Sequence, residues 1–324
     1  MVKGLEHEPM PATTAAHFAD SLAAAVRRCR NPVVVGLDPR FEQLPVGLHA
    51  GGAKPSWQQQ ADAYLKFCQG VIDVVADLVP AVKPQAAFFE QLGPAGMVAL
   101  GQVLDYARQK GLFVILDGKR NDIGSTAIAY AEAFLGRPPL SAWGADAMTV
   151  SPYLGGDSLD PFVETASRRG AGLFVLVKTS NPGGALFQDV VADGLPMYRH
   201  VARHVQDLAR QSAGAGGYGF VGAVVGATHP RQLTELRSAM PNTWFLVPGY
   251  GSQGGGARDV AGAFDPQGLG AIVSSSRAVI FAHALPEYSS RFGAGRWQEA
   301  VEAATRRMIA ELQADTPAEK LAAG

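Results

Sequence analysis

The sequence predicts a (β/α)8 barrel. Eight short β-rich runs alternate with longer amphipathic stretches, which is the pattern of α/β proteins with a parallel sheet. Several of the short runs are apolar almost throughout, as expected for strands covered on both faces. Most of them end in polar or charged residues, and in a barrel the chemistry sits at the C-terminal strand ends. A doubly wound sheet shares the alternation and is the runner-up.

In chain order the predicted strands are 33–37, 78–83, 113–119, 145–150, 173–178, 220–225, 244–247 and 271–274. The helical stretches between and after them are 57–78, 94–110, 125–134, 159–169, 196–213, 229–240 and 296–312. A barrel of this kind needs about 250 residues. The chain has 324, and the surplus fits long loops at 40–56 and 179–195 and extensions at both ends. Neither an internal repeat nor a break in composition marks a second domain, so 1–324 reads as one barrel domain with its core at about 15–312. The tail, 313–324, is polar and Ala-rich and is expected to be poorly ordered.

Composition excludes several classes. With 28 basic and 29 acidic residues the net charge is -1, and no block of Lys or Arg gives nucleic-acid binding electrostatic support. Cys29 and Cys68 stand far apart with no CxxC pair, which argues against a zinc site or a disulfide framework. The N-terminal residues lack the apolar core of a signal peptide, and no run approaches the ~20 apolar residues that span a bilayer. The expectation is a soluble cytoplasmic protein without membrane contact. The pair His200 and His204 lies on a helix away from the strand ends and reads as surface. No Gly-Xaa-Ser-Xaa-Gly elbow occurs.

The strand ends carry Asp38, Lys83, Asp117 with Lys119, Ser151-Pro152 and Lys178-Thr179. Asp117 and Lys119 are two apart on a strand, so both point to one face, with Gly118 turned to the helix layer. Charges on an inward face must be paired or must meet a ligand, because lone buried charges are costly. A plain structural ion pair would account for Asp117 and Lys119, but Lys83 on the neighbouring strand adds one cation more than a pair needs. Asp122 follows the strand, either as a cap for the next helix or as a second carboxylate of the cluster. After strands 7 and 8, where barrels commonly bind phosphate, stand Pro248 to Gly256 and then Arg277. The glycines there let backbone N–H groups approach a dianion. Gln253 adds a donor, and Arg277 a planar positive fork.

Asp117-Gly118-Lys119-Arg120-Asn121-Asp122-Ile123 resembles the Asp-Xaa-Lys-Xaa-Xaa-Asp-Ile signature of the orotidine 5'-phosphate decarboxylases. Gly36-Leu37-Asp38-Pro39-Arg40, Lys83-Pro84-Gln85-Ala86-Ala87-Phe88-Phe89-Glu90, Thr149-Val150-Ser151-Pro152-Tyr153 and Pro248-Gly249-Tyr250-Gly251-Ser252-Gln253-Gly254-Gly255 extend the likeness in the family's order. It is most like the longer bacterial subfamily, often called type 2.

The resemblance implies a decarboxylase without metal or cofactor that converts orotidine 5'-phosphate (OMP) to UMP as a homodimer. Lys83, Asp117, Lys119 and Asp122 would form an alternating charge network, with Asp122 and Thr126 reaching across the dimer. Asp38 and Lys83 would hold ribose hydroxyls and Ser151 the pyrimidine. Pro248 would line the substrate site, and Gln253 and Arg277 would hold the phosphate. The chain departs from many relatives in having Ser274-Ser275-Ser276 before Arg277, where a Gly is common. Two rival enzymes fit parts of the pattern. One is a Mg2+-dependent sugar-phosphate decarboxylase of the same superfamily, although Lys83 stands where those look to have a carboxylate. The other is a Schiff-base aldolase using Lys119 or Lys178. A catalytically silent nucleotide binder is the alternative outside enzymes.

Overall fold

A computed structural model describes residues 16–48, 54–251 and 254–323. Eight parallel strands close into a barrel: β1 (Val33–Leu37), β2 (Ala81–Pro84), β3 (Phe113–Arg120), β4 (Ala147–Val150), β5 (Gly172–Lys178), β6 (Val221–Val225), β7 (Phe245–Val247) and β8 (Ala271–Ser275). Each strand pairs with its sequence neighbours, and β8 closes on β1 with Val33 opposite Val273. The strands match the predicted runs to within one residue at their starts, except for β2 and β4, which begin later. Residues 78 and 79 finish the turn after the preceding helix, with both N–H groups bonded to Val75 O. Ala145 makes only an isolated bridge to Leu135 before β4 begins.

The outer layer holds α1 (Phe18–Cys29), α2 (Trp57–Val75), α3 (Gly93–Gln109), α4 (Gly124–Phe134), α5 (Asp160–Arg169), α6 (Met197–Gln211), α7 (Pro230–Ala239) and α8 (Trp297–Asp315). Ser56 starts α2 with a reciprocal cap. Its side chain accepts from Gln59 N at 3.2 Å while Gln59 Oε1 accepts from Ser56 N at 2.8 Å, so two end donors are satisfied at once.

The sequence reading did not assign α1, which closes one end of the barrel. Phe18 is buried there, edge-on to Phe113 and Phe174 at centroid distances of 6.1 and 6.2 Å. Gly172 makes room for it: a Cβ at 172 would lie 2.2 Å from the Phe18 ring. At the other end of the chain, α8 packs Trp297 on Phe67, 5.3 Å between centroids.

The tail differs from expectation. Residues 316–323 continue α8 into a turn and the short helix Glu319–Ala323, with Ala318 and Leu321 buried. Thr316 Oγ1 donates to Leu312 O at 2.6 Å, and Lys320 Nζ donates to Pro266 O at 2.6 Å. The Ala-rich composition hides this docking, since alanines bury little area singly and contribute only where a surface is already flat. No helix among the described residues is long and apolar enough to cross a membrane.

Candidate active site

The C-terminal ends of the strands surround a cavity of about 630 Å³, a usual size for a small-molecule site. Lys83 from β2, Asp117 and Lys119 from β3 and Asp38 after β1 line one side. Pro248, Gly249 and Tyr250 after β7, with Ser276 and Arg277 after β8, line the other.

Asp117 is the centre of the charged wall. Its Oδ2 accepts from Lys83 Nζ at 2.6 Å. Its Oδ1 accepts from Lys119 Nζ at 2.6 Å and from Thr149 Oγ1 at 2.9 Å. Burial alone would push the Asp117 carboxyl up, but the two ammonium groups outweigh burial and hold it well below the usual carboxylate range. Lys83 is likewise buried, which opposes its charge, yet Asp117 and Asp38 together keep it above the ordinary lysine value. Lys119 differs from Lys83 in exposure: its side chain is 47% accessible against 7%. One ammonium is therefore locked in the wall while the other projects into the cavity.

The strand that presents this pair is irregular. Lys119 has φ of +46°, and the pairing of β3 with β4 shifts between Leu116 and Arg120. Lys119 N donates to Thr149 Oγ1 at 2.9 Å, so one threonine holds both the backbone of Lys119 and the carboxylate of Asp117. Gly118, turned away from that face, has room for a side chain. The nearest atoms to a Cβ there belong to the Arg120 side chain, at 3.7 Å.

Two buried oxygens in the cavity wall, Asp38 Oδ1 and Ser276 Oγ, have no hydrogen-bond partner among the described residues. Buried polar atoms without partners are costly, and these two lie where a molecule in the cavity could meet them. Gly36 on β1 leaves the room that the Ser276 side chain occupies. A Cβ at residue 36 would sit 2.8 Å from Ser276 Cβ.

The cavity thus joins Asp38, Lys83, Asp117, Lys119, Pro248 and Arg277. Asp122, Thr126 and Ser151 do not line it. Asp122 is not the cap of α4, whose N-cap is Ile123; its Oδ1 accepts from Ile123 N at 2.8 Å. Thr126 is exposed on the first turn of α4, and Ser151 Oγ accepts from Tyr153 N at 3.4 Å. Gln253 lies outside the described residues. Sequence reasoning gave no role to Thr149 or Gln85, which also line the cavity.

The loop after β5 forms the remaining wall through Thr179, Ser180, Asn181, Phe187 and Gln188. Lys178 is not part of it. Its side chain is 1% exposed, pairs with Asp189 and lies 5.2 Å from the Tyr198 ring centroid. A buried, paired lysine outside the cavity does not suit a Schiff-base role. His200 bonds Ala192 O at 2.8 Å and His204 is exposed, both away from the site. Among the described residues no three His, Cys, Asp or Glu side chains group as a metal site would require.

Fold and cavity together define a (β/α)8-barrel enzyme whose cavity has a lysine–aspartate–lysine wall and a second wall that carries Pro248, Gly249, Tyr250 and Arg277. Residues 31–289 match the family described as orotidine 5'-phosphate decarboxylase / HUMPS. An orotidine 5'-phosphate decarboxylase of Rhodopirellula baltica is 57% identical over 298 residues, covering 91% of this chain and 99% of the relative. One from Caldicellulosiruptor bescii is 38% identical over 301 residues, covering 89% and 99%. The solved Leishmania donovani OMP decarboxylase superposes with a TM-score of 0.70 at 31% identity, covering 92% of this chain and 98% of that one. The chain belongs to the orotidine 5'-phosphate decarboxylase / HUMPS family.

Proposed function

We propose that this chain removes CO2 from OMP to give UMP, the last step of de novo pyrimidine nucleotide synthesis, by forming a carbanion directly at C6. The bond from C6 to the carboxylate breaks, its electron pair stays on C6, and CO2 leaves. Lys119 Nζ stabilises that pair and delivers a proton to it, and solvent then reprotonates the amine. The single observation that carries this reading is the placement of Lys119: an ammonium held 2.6 Å from Asp117, yet open to the cavity. A preorganised cation needs no reorganisation when charge develops. Asp117 orients it, and Lys83 on the other carboxylate oxygen fixes Asp117 in turn.

In this reading Asp38 and Lys83 take ribose hydroxyls, which answers the unpartnered Asp38 Oδ1. Arg277, Gln253 and the backbone from Pro248 onward take the phosphate, and Ser151 takes the pyrimidine edge. Asp122 and Thr126 serve the site of a second copy in a homodimer. No metal or organic cofactor is required, and the cytoplasm is the compartment that such an enzyme serves. The test is the fall in OMP absorbance catalysed by the purified chain, with and without EDTA. Turnover equal in both is expected. Absence of UMP formation would sink the assignment, and activity abolished by EDTA would point to the metal-dependent branch of the family.

A further inference from the structure

Tyr250 stands at the root of the loop that follows β7, between two glycines in the left-handed region, Gly249 (φ +97°) and Gly251 (φ +75°). Such a root has little conformational preference of its own, so its position depends on what Tyr250 touches. The residue is 6% exposed and forms a partition. One side lines the main cavity, and the other lines a second cavity of about 170 Å³ that reaches Glu287, Arg307 and Glu311.

Its main-chain oxygen accepts from Ser275 Oγ at 3.3 Å, two residues before Arg277. Its phenol donates to Glu311 Oε2 on α8 at 2.6 Å. Glu311 is itself oriented: Oε1 accepts from Arg307 Nε at 2.8 Å, and Arg307 Nη1 donates to Glu287 Oε2 at 2.7 Å. Four residues further along α8, Asp315 accepts from Arg258 Nε at 3.2 Å, beyond the far side of the same loop. Two successive turns of one helix therefore hold both flanks of the loop. Burial and the Glu311 hydrogen bond push the Tyr250 phenol above its ordinary range, so it remains a donor.

We infer that Glu311 is a positioning residue for phosphate recognition, acting through the Tyr250 phenol, and that α8 is thereby part of the substrate site. The inference rests on the loop after β7 being the phosphate site of the proposed reaction. It makes the C-terminal helix specific in effect: it should matter to the phosphate-bearing ligand and not to the nucleoside.

The experiment measures UMP and uridine affinity for the full chain and its variants, which needs binding only, while OMP turnover by the unaltered chain tests the activity separately. Glu311→Ala should weaken UMP by about tenfold, as for loss of one hydrogen bond to a charged partner, and leave uridine within twofold. The KM for OMP should rise in step, with kcat little changed. Tyr250→Phe, which preserves the ring, should reproduce the UMP effect. The double variant should be no worse than either single one. Glu311→Gln keeps an acceptor and should retain most of the affinity. Equal losses for UMP and uridine, an unchanged UMP affinity, or additive single effects would each overturn the inference. A Glu311→Gln loss as deep as that of Glu311→Ala would assign the effect to the Arg307 pair and overturn the role of the phenol.

Discussion

Lys119 is the residue whose loss is expected to cost most. Charge stabilisation by one preorganised donor and proton transfer by one positioned acid together supply roughly 10⁴-fold or more. Lys119→Ala should therefore lower kcat by at least that factor while UMP affinity stays within about tenfold. Single-turnover rates and UMP titration check both halves, and substantial residual turnover would remove Lys119 from its role. The pair beside it sets the pH range. Asp117 has a folded pKa below its ordinary value of 3.8, so its stabilising share is present above that value and is lost as pH falls through the folded pKa. Lys83 has a folded pKa above its ordinary value of 10.5, so its share is full below that value and is lost as pH rises through the folded one. Neither changes charge in between. From ~pH 5 to ~pH 9 the kcat profile should show no limb from this pair, and any limb in kcat/KM near pH 6 belongs to the substrate phosphate, whose second pKa is about 6. A kcat limb centred inside that window and moved by Asp117→Asn would contradict the assignment.

At the scale of elements, most strands were legible because their apolar runs are continuous, and the two-residue spacing placed Asp117 and Lys119 together. What the spacing could not carry is the bulge. It depends on Thr149, thirty residues away and on a neighbouring strand, so no local pattern records it. The helix α1 had a signal in Phe18, Leu22 and Val26, spaced four apart and all buried, but its role closing the barrel depends on Gly172 leaving space. The cavity's charged wall was readable for the same reason as the strands. The polar start of the loop after β5, Thr179 onward, was readable as a strand end, but Phe187 and Gln188 were not, since their side chains reach the cavity only through tertiary anchoring. That anchoring gives a stability prediction. Lys178 is buried and Asp189 is partly exposed, at 1% and 43% of the side chain. Asp189→Asn leaves a buried ammonium short of its partner and should lower unfolding free energy by about 1–3 kcal/mol, less than a fully buried pair because solvent screens Asp189. Lys178→Met removes the charge along with the need for it and should cost less. Denaturant midpoints of the two variants decide the order, and Lys178→Met being the more damaging would show that the ion pair is not what anchors the loop.

At the scale of the whole molecule, the residues absent from the cavity share one region of the surface. Asp122 and Thr126 flank the start of α4, and Ser151 follows the adjacent strand β4. Close to them in sequence Ile123, Ile128, Tyr153 and Leu154 are exposed large apolar side chains. A second copy packed there would cover these side chains and carry Asp122 towards the Lys119 of its partner. A two-fold dimer makes that exchange reciprocal, and reciprocity has a measurable consequence. Lys119→Ala and Asp122→Ala would each be inactive alone, since each homodimer lacks one group at both sites. In a heterodimer of the two, one site loses both groups while the other keeps an intact Lys119 from one copy and an intact Asp122 from the other. Random reassortment makes half of the dimers mixed, and each has one working site, so mixing the two inactive proteins should restore about a quarter of the original activity per site. The gain should appear at the rate of subunit exchange and should be absent when two samples of the same variant are mixed. If each copy used its own Asp122, no mixture would exceed the sum of its parts, and the exchange of Asp122 between copies would be ruled out.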